Sequence, residues 1–382
     1  MIRVEERAIH AAHPYPCKFP GWSVAKFLEP DGEVLLDPFC GSGTTLYEAA
    51  VRGWPKVIGF DANPIAALVS RFKLMAVMPT FFRIAESLVT DMSDSRLSDV
   101  RPVVFAFDGR HHWFDKCVLS ELAMIVAWIR SQRRRDVRLW LMLSLSRIVN
   151  RVSRQESETR YVAVDKEIVS GETFERFRES CATTLDLLRS REPFQSAARL
   201  ECVNVRAGAP LGDATVDRIV TSPPYCNSMD YYLYHKQRMN ILGFDFKAVQ
   251  NAEIGSRHEY SSLRVGLDKW RTDYTAVLRE FRRVLRPSGY AVVIIGDSQI
   301  AGARVDAAAL TRTAAESLGF DMAVLDSTPL DGRSRSFARG FQRPNKMEHT
   351  IRLIARAQRT SRVVSLPETL RRGQHEKIRI AR

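Results

Sequence analysis

An α/β fold, with a doubly wound parallel sheet and a helical insertion, is predicted by three features of the 382-residue sequence. Two strand–turn–helix units follow one another in residues 32–77, and successive units of this kind form parallel sheets. Helical periodicity then fills the middle of the chain, and strand patterns return after it. These changes divide the chain into residues 1–79 and 199–356, two parts of one α/β domain, an insertion at 80–198, and a basic tail at 357–382 that is expected to be disordered.

The first unit begins with the apolar run Val34–Leu36. It continues through the loop "DPFCGSGTT" (37–45) into a helix that ends near Gly53. The second unit has a strand at Val57–Phe60 with Asp61 at its tip. The remaining elements of the sheet domain are predicted in this order: strands at 199–205 and 217–225, a helix at 270–289, a strand at 290–298, a helix at 306–319, and strands at 321–327 and 348–356.

A net charge of +13 and a pI near 9.7 are the most informative bulk properties. Such a charge attracts polyanions such as nucleic acid. The charge alone is equally consistent with a nucleic-acid-binding protein and with a protein that is basic for no functional reason. Six cysteines without a CxxC spacing indicate a reducing, cytoplasmic environment and no zinc site. The chain has no apolar run of membrane-spanning length, and its charged start lacks the apolar core of a signal peptide. No metal is predicted, because His111 and His112 have no third ligand at a suitable spacing.

The loop at 37–45 has the features of a cofactor site at the end of a parallel strand. Gly41 and Gly43 permit a sharp turn and a close approach to a ligand, and the following helix directs amide groups towards it. Asp61 follows at about the distance in sequence from which an acid reaches ribose hydroxyls. A P-loop would need a lysine, and a dinucleotide site would need a third glycine where Leu46 stands. S-adenosylmethionine needs neither, and an ordinary βα turn is the remaining alternative.

The second motif, "TSPPY" (221–225), ends an apolar strand on two consecutive prolines. Prolines are rigid and lack an N–H, so this corner holds its carbonyl groups in fixed directions. Carbonyl and hydroxyl oxygens at Ser222 and Pro223 suit the binding of an amine, and Tyr225 suits stacking on a base. The alternative is a proline turn that carries a core tyrosine.

The pairing of "DPFCGSGTT" with "TSPPY" resembles the amino-group DNA methyltransferases, which methylate N4 of cytosine or N6 of adenine. "HPYPCKFP" (13–20) is similar to the N-terminal cofactor segment of that family, and residues 206–260 resemble its cytosine-N4 branch. The resemblance implies a Rossmann-like methyltransferase sheet with S-adenosylmethionine as the cofactor. It implies cofactor contacts from Lys18, Asp37, Phe39, Gly41, Gly43, Thr44 and Asp61, and catalytic roles for Ser222, Pro223, Pro224 and Tyr225.

This resemblance implies site-specific methylation of duplex DNA at a base that has flipped out of the helix. The serine form of the catalytic motif favours cytosine N4 over adenine N6. The insertion at 80–198 is the candidate target-recognition region, and any DNA cleavage would come from a partner, a cognate restriction nuclease. Two alternatives stay open: an RNA base methyltransferase, and a catalytically silent nucleic-acid-binding protein that keeps the cofactor fold.

Several further residues have two interpretations each. Arg154 and Arg160 either contact DNA phosphate or lie at a solvated helix end. Asp297 either lines the site or caps the next turn. Three tyrosines either border the base pocket or pack in the core: Tyr231, Tyr232 and Tyr234.

Overall fold

The computed structural model describes residues 7–93, 96–97, 99–227, 229–330 and 346–356. The basic tail predicted at 357–382 lies outside these residues.

The main sheet has seven strands in the order β5-β2-β1-β6-β7-β11-β10. The first five in this order are parallel, and β11 is antiparallel to both of its neighbours. The chain starts at the centre with β1, moves outwards through β2 to β5, and then crosses to β6 on the other side of β1. This arrangement confirms the predicted doubly wound fold, and it puts the reversal of strand order between β1 and β6. The strands are β1 (Val34–Asp37), β2 (Lys56–Asp61), β5 (Ala197–Cys202), β6 (Val216–Thr221), β7 (Leu285–Gly296), β10 (Phe320–Pro329) and β11 (Met347–Ala355).

Helices cover both faces of the sheet, and two small hairpins lie outside it. The hairpins are β3 (Gln155–Ser157) with β4 (Arg160–Ala163), and β8 (Ser298–Ile300) with β9 (Ala303–Val305). The α-helices are α1 (Gly21–Ala25), α2 (Thr44–Val51), α3 (Pro64–Leu74), α4 (Pro79–Asp91), α5 (Arg110–Trp113), α6 (Lys116–Ser131), α7 (Arg135–Val152), α8 (Glu172–Ser190), α9 (Tyr231–Tyr234), α10 (Lys236–Leu242), α11 (Phe246–Ala252), α12 (Arg257–Ser261), α13 (Leu267–Val284) and α14 (Ala307–Ser317).

Two apolar cores lie on opposite faces of the sheet, as the alternation of side chains along a strand requires. Leu35 belongs to the core beneath α2 and α3, whereas its neighbour Leu36 belongs to the core beneath α13 and α14. The insertion helices place Trp140 and Phe177 in the first of these cores. The insertion therefore packs directly against residues 1–79, the predicted cofactor half of the sheet domain.

The helix predicted at 270–289 ends five residues earlier than expected, at Val284. Pro287 and Gly289 instead lie in the first part of β7, where the pairing between β6 and β7 is irregular. A Cβ on Gly289 would lie 2.8 Å from the carbonyl oxygen of Asp217, so the close approach of β6 requires glycine there. The helix is confirmed, but its predicted end was wrong, because proline and glycine, which end helices, are also tolerated at strand irregularities.

Among the described residues, no single helix is long and apolar enough to cross a membrane, and only the pair Pro64–Leu74 and Pro79–Asp91, bent by 116°, meets that length and composition together.

The N-terminal segment is attached to α2 through the buried carboxylate of Glu48. Its Oε1 accepts hydrogen bonds of 2.9 Å from Arg7 and His10, and Arg52 binds its other oxygen. These donors lower the pKa of Glu48 to about 2 despite the opposing effect of burial. A lowered pKa stabilises the fold above the unfolded-state value near 4.5, and this contribution is lost as the pH falls towards 2.

Replacement of Glu48 by Gln should therefore lower the free energy of unfolding at pH 7 by about 1.5–3 kcal/mol, the range for hydrogen bonds to a charged group. The difference from the wild type should shrink as the pH falls from about 4.5 towards 2, because the unfolded wild-type chain then binds a proton at Glu48 that the folded protein does not bind. Urea denaturation at a series of pH values measures this. A difference that stays constant down to pH 2.5 would contradict the assignment.

Candidate active site

The two sequence motifs meet at the carboxyl ends of neighbouring parallel strands. β1 ends at Asp37 and β6 ends at Thr221, and the hydroxyl of Thr221 donates a 2.7 Å hydrogen bond to Asp37 Oδ1. The same carboxylate oxygen accepts a 3.2 Å hydrogen bond from the Phe39 amide. Asp37 thus joins the glycine loop to the strand that carries Ser222. Ligands of doubly wound sheets bind at this position, where the strand order reverses.

Asp37 is almost completely buried, and burial raises its pKa to about 7 against the opposing hydrogen bonds from Thr221 and Phe39. No described cation forms an ion pair with it. Its role in this structure is to hold two loops together from beneath. The predicted direct contact between Asp37 and the cofactor stays a prediction.

The glycine loop has the backbone conformation that its sequence predicts. Gly41 and Gly43 have positive φ values of 48° and 75°, and α2 begins at the buried Thr44. A Cβ on Gly43 would come within 3.0 Å of the Ser70 backbone, so α3 packs against the loop at this point. A Cβ on Gly41 would lie 3.7 Å from the ring of Tyr15. The close approach of α3 therefore requires glycine at position 43, and Gly41 faces the ring of Tyr15.

Asp61 lies at the end of β2, where it holds the glycine loop from the side. Its Oδ2 accepts a 2.9 Å hydrogen bond from the Gly41 amide, and its Oδ1 accepts a 2.8 Å bond from the Asn63 amide. Burial raises the pKa of Asp61 to about 6 in spite of these bonds. The buried Asn63 Nδ2 has no hydrogen-bond partner within the described part of the chain. A carboxylate and an amide donor are therefore available to a polar ligand beside the loop.

The N-terminal segment 13–20 approaches the glycine loop through Tyr15, and its contact with a cofactor stays a prediction. The ring of Tyr15 stacks on His235, with centroids 4.8 Å apart, and on Tyr231 at 6.4 Å. Lys18 donates a 2.8 Å hydrogen bond to the His10 carbonyl. The segment is thereby fixed between the glycine loop and the helices α9 and α10 that follow the catalytic motif.

Residues 221–225, the predicted catalytic motif, form a corner whose backbone is fixed by contacts with two other residues. Pro223 is buried, whereas the side chain of Ser222 is half-buried. Trp270 Nε1 donates a 3.3 Å hydrogen bond to the Pro224 carbonyl. Gly255 packs so closely that a Cβ there would lie 2.8 Å from the Tyr225 carbonyl oxygen. These contacts fix the backbone of the corner in the absence of a substrate.

The Tyr225 side chain extends along the sheet and is only 9% exposed. A Cβ on Gly296 would come within 2.6 Å of its ring, so the ring packs over β7 at a glycine. Its hydroxyl donates a 2.8 Å hydrogen bond to Glu348 Oε2 on β11 and accepts a 3.5 Å bond from Ser222 Oγ. Stacking of this ring on a flipped base stays a prediction, since most of the ring is covered in this conformation.

Two acids of this region were not identified from the sequence, Glu253 and Glu348. Glu253 Oε1 accepts a 3.2 Å hydrogen bond from the Tyr232 amide, and its buried Oε2 has no partner among the residues described. Burial and the charge of Asp230 raise the pKa of Glu253. No local pattern marks either acid, because each follows ordinary helix or strand residues in the sequence.

The other candidate residues are paired within the fold. Arg154 binds Asp115 at 2.6 Å, and Arg160 binds Glu156 at the same distance.

Asp297 accepts a 3.0 Å hydrogen bond from the Ala307 amide at the start of α14, which agrees with a capping role. Asp297, Asp306 and His349 have potential metal-ligand atoms within 4.8 Å of one another, but Asp297 also binds Arg304. Of the three tyrosines, Tyr231 alone stacks on Tyr15 in the segment above the glycine loop.

The sequence is similar to curated Type II methyltransferases. It is 25% identical to M.MvaI of Kocuria varians over 276 residues, which cover 64% of this chain and 59% of that relative. It is 24% identical to M.BsoBI of Geobacillus stearothermophilus over 256 residues, 57% of this chain and 49% of that relative. The chain thus spans only about half to three fifths of the length of these relatives.

Comparison with solved structures adds little to the fold assignment. The rRNA methyltransferase aviRa from Streptomyces viridochromogenes aligns over 92% of this chain and 94% of its own, at 12% identity and a TM-score of 0.31. Because this TM-score is low, the fold assignment depends on the strand order described above. No protein-family model matches the sequence.

The sequence relatives agree with the family resemblance of the two motifs. They support the predicted S-adenosylmethionine cofactor, because a methyltransferase needs a methyl donor. The chain is therefore related by its sequence to the Type II methyltransferases.

Proposed function

We propose that the protein is an S-adenosylmethionine-dependent DNA methyltransferase that modifies an exocyclic amine, N4 of a flipped-out cytosine. The observation that carries this proposal is the hydrogen bond between Thr221 and Asp37, which brings the SPPY corner and the glycine loop to one edge of the sheet. Transfer between a cofactor and a base requires their two sites to lie this close together. The Type II methyltransferase relatives support the same reaction class.

The residues around the glycine loop fit S-adenosylmethionine. Asp61 and the unpartnered Asn63 Nδ2 offer an acceptor and a donor to ribose hydroxyls. Gly41 and Gly43 have no side chains, so the backbone of the loop allows close approach by the methionine portion. The buried acids of this edge suit a ligand with a net positive charge. When bound, the cofactor supplies an electrophilic methyl group on a sulfonium sulfur.

The SPPY corner addresses the weakness of the nucleophile. The lone pair of an aromatic amine is conjugated with the ring, so the nitrogen attacks poorly until it becomes tetrahedral. Ser222 Oγ and the Pro223 carbonyl are acceptors for the two N–H groups and stabilise the positive charge that develops on nitrogen. The contacts of Trp270 and Gly255 keep this corner preorganised, so little reorganisation is needed during the reaction.

The insertion at 80–198 is proposed as the target-recognition region. Its helices lie against the cofactor half, and the net charge of +13 favours a polyanionic substrate. Cytosine is preferred to adenine because the corner carries serine, and the serine form of this motif is typical of the cytosine-N4 enzymes that the sequence resembles. A cognate restriction nuclease remains a proposed partner.

Incubation with tritiated S-adenosylmethionine and duplex DNA, tRNA or rRNA, followed by nucleoside analysis, tests this function. Label in N4-methylcytosine from DNA is the expected result. Label in N6-methyladenine would show that the target base is adenine and not cytosine. Label in RNA alone would contradict the assignment of DNA as the substrate. DNA binding without any transfer would indicate a silent nucleic-acid-binding protein.

A further inference from the structure

A chain of three hydroxyl and carboxyl groups leads from the catalytic corner after β6 to Glu348 on β11. Ser222 Oγ donates to the Tyr225 hydroxyl at 3.5 Å, and Tyr225 donates to Glu348 Oε2 at 2.8 Å. Glu348 lies near the start of β11, paired with Gly296 of β7 on one side and with Thr328 of β10 on the other. Glu348 lies 123 positions from Tyr225 in the sequence, so the fold alone brings it to the hydroxyl of that tyrosine.

Methylation of an amine creates a proton that must leave. The lone pair of the nitrogen forms the new N–C bond, and the electron pair of the broken C–S bond stays on sulfur, which becomes neutral. The nitrogen is then cationic, and it becomes a neutral methylamine only when it loses one N–H proton. A base near the corner is therefore required, and a serine hydroxyl alone is too weak a base to keep that proton.

We propose that Glu348 is the final proton acceptor of the reaction, reached from Ser222 through the hydroxyl of Tyr225. The amine gives a proton to Ser222 Oγ while Ser222 passes its own proton to Tyr225, and Tyr225 passes its proton to the Glu348 carboxylate. Ser222 and Tyr225 end unchanged, and Glu348 ends as a carboxylic acid. Because Glu348 is half-buried, it can then return the proton to water. This inference depends on the proposed function, and it makes Glu348 a positioning residue that acts through Tyr225.

The environment of Glu348 suits this role. Burial raises its pKa, which makes its carboxylate a stronger base than an exposed glutamate. The titratable groups that act on it are Tyr225 and His349, and Cys17 and Ser222 act on Tyr225. His349 itself bonds to Ser327 and lies 3.3 Å from Asp297, so its ring is engaged elsewhere.

Single-turnover methyl transfer with saturating cofactor and DNA tests the relay in three variants, Glu348→Gln, Tyr225→Phe and the double variant. Gln keeps an acceptor for Tyr225, and Phe keeps the ring, so both should fold. Each single variant should be about 10²-fold slower, the lower end of what general acid–base catalysis contributes. The double variant should be no slower than either single one, because both changes break the same chain. A loss below about tenfold in Glu348→Gln, or losses that multiply, would overturn the proposal.

The pH profile separates proton acceptance from a structural role. Wild-type single-turnover rates should fall as the pH drops through the raised pKa of Glu348, because only its ionised form accepts a proton. Glu348→Gln should lack this acidic limb and keep the wild-type dissociation constants for cofactor and DNA, measured by calorimetry and fluorescence anisotropy. An unchanged acidic limb would overturn the proposal, and Tyr225→Phe answers the same question if Glu348→Gln fails to fold.

Asp321→Asn is the matched control, since Asp321 is an acid of the adjoining strand β10 whose partner, Arg356, is also exposed. It should leave the rate and the pH profile unchanged. Absence of methyl transfer by the wild type would refute the proposed function itself. An active wild type together with an unimpaired Glu348→Gln variant would refute the relay alone.

Discussion

Replacement of Tyr225 by Ala is expected to lower the rate of methyl transfer by at least about 10²-fold. The change removes the proposed base-stacking surface, worth about 1–3 kcal/mol, and the hydroxyl that links Ser222 to Glu348. The dissociation constant for S-adenosylmethionine should change less than threefold, since the glycine loop is held by Asp61 and Asp37. Single-turnover transfer and calorimetric cofactor binding measure the two quantities.

Loss of a buried ring also destabilises the fold, so this experiment needs a control for packing. Phe320 lies in the same core as Tyr225, and it pairs with Ala355 at the end of β11 that is remote from Glu348. Phe320→Ala should cost about 3–5 kcal/mol of stability, as large-to-small core changes do, yet keep the rate per folded molecule. Equal losses of rate in the two variants would mean that Tyr225 acts only through packing. Wild-type turnover by Tyr225→Ala would exclude both of its proposed roles.

The sheet and the glycine loop could be predicted because their signals are local. The apolar runs before Asp37 and Asp61 indicate parallel strands, and two glycines in one loop indicate the positive φ values that Gly41 and Gly43 adopt. Strand order was not encoded in the same way. It follows from the rule that doubly wound sheets cross over after their first half, which places β6 beside β1.

The contacts that complete the site could not be predicted, because they join residues that are distant in the sequence. The hydrogen bond from Thr221 to Asp37 spans 184 positions, and that from Tyr225 to Glu348 spans 123. In the sequence, Glu348 is an ordinary polar residue near the start of the strand β11. Its burial against Tyr225 depends on the absence of a side chain at Gly296, which is a tertiary feature.

The orientation of Tyr225 also shows how far a motif can determine geometry. The consecutive prolines predict a rigid corner, and the contacts of Trp270 and Gly255 with that corner agree with this expectation. They do not determine the direction of the next side chain, which is set by the acceptor on β11. A resemblance to a family therefore identified the residues of the corner, whereas the hydroxyl chain behind it emerged only from the fold.

Replacement of Asp61 by Asn should weaken S-adenosylmethionine binding by at least about tenfold, because one hydrogen bond to a charged group contributes about 1.5–3 kcal/mol. The wild-type affinity should also fall as the pH drops through about 6, the pKa to which burial raises this carboxyl. Above this pH the group is ionised and can accept the hydrogen bonds proposed from the ribose hydroxyls, and below it the protonated form loses acceptor capacity. Calorimetric titrations between pH 5 and 8 measure both effects.

Binding should also release a proton near pH 6 in the wild type, because a ligand that prefers ionised Asp61 lowers its pKa. Titrations in buffers of different ionisation enthalpy detect this proton, and Asp61→Asn should release less. Asp217→Asn is the matched control, since Asp217 accepts hydrogen bonds from Glu33 and Val34 at the start of β1, the opposite edge of the sheet. It should lower stability without changing cofactor affinity. If Asp61→Asn bound S-adenosylmethionine with wild-type affinity, the assignment of the cofactor site to this edge would be contradicted, and the proposed reaction would have no methyl donor beside the SPPY corner.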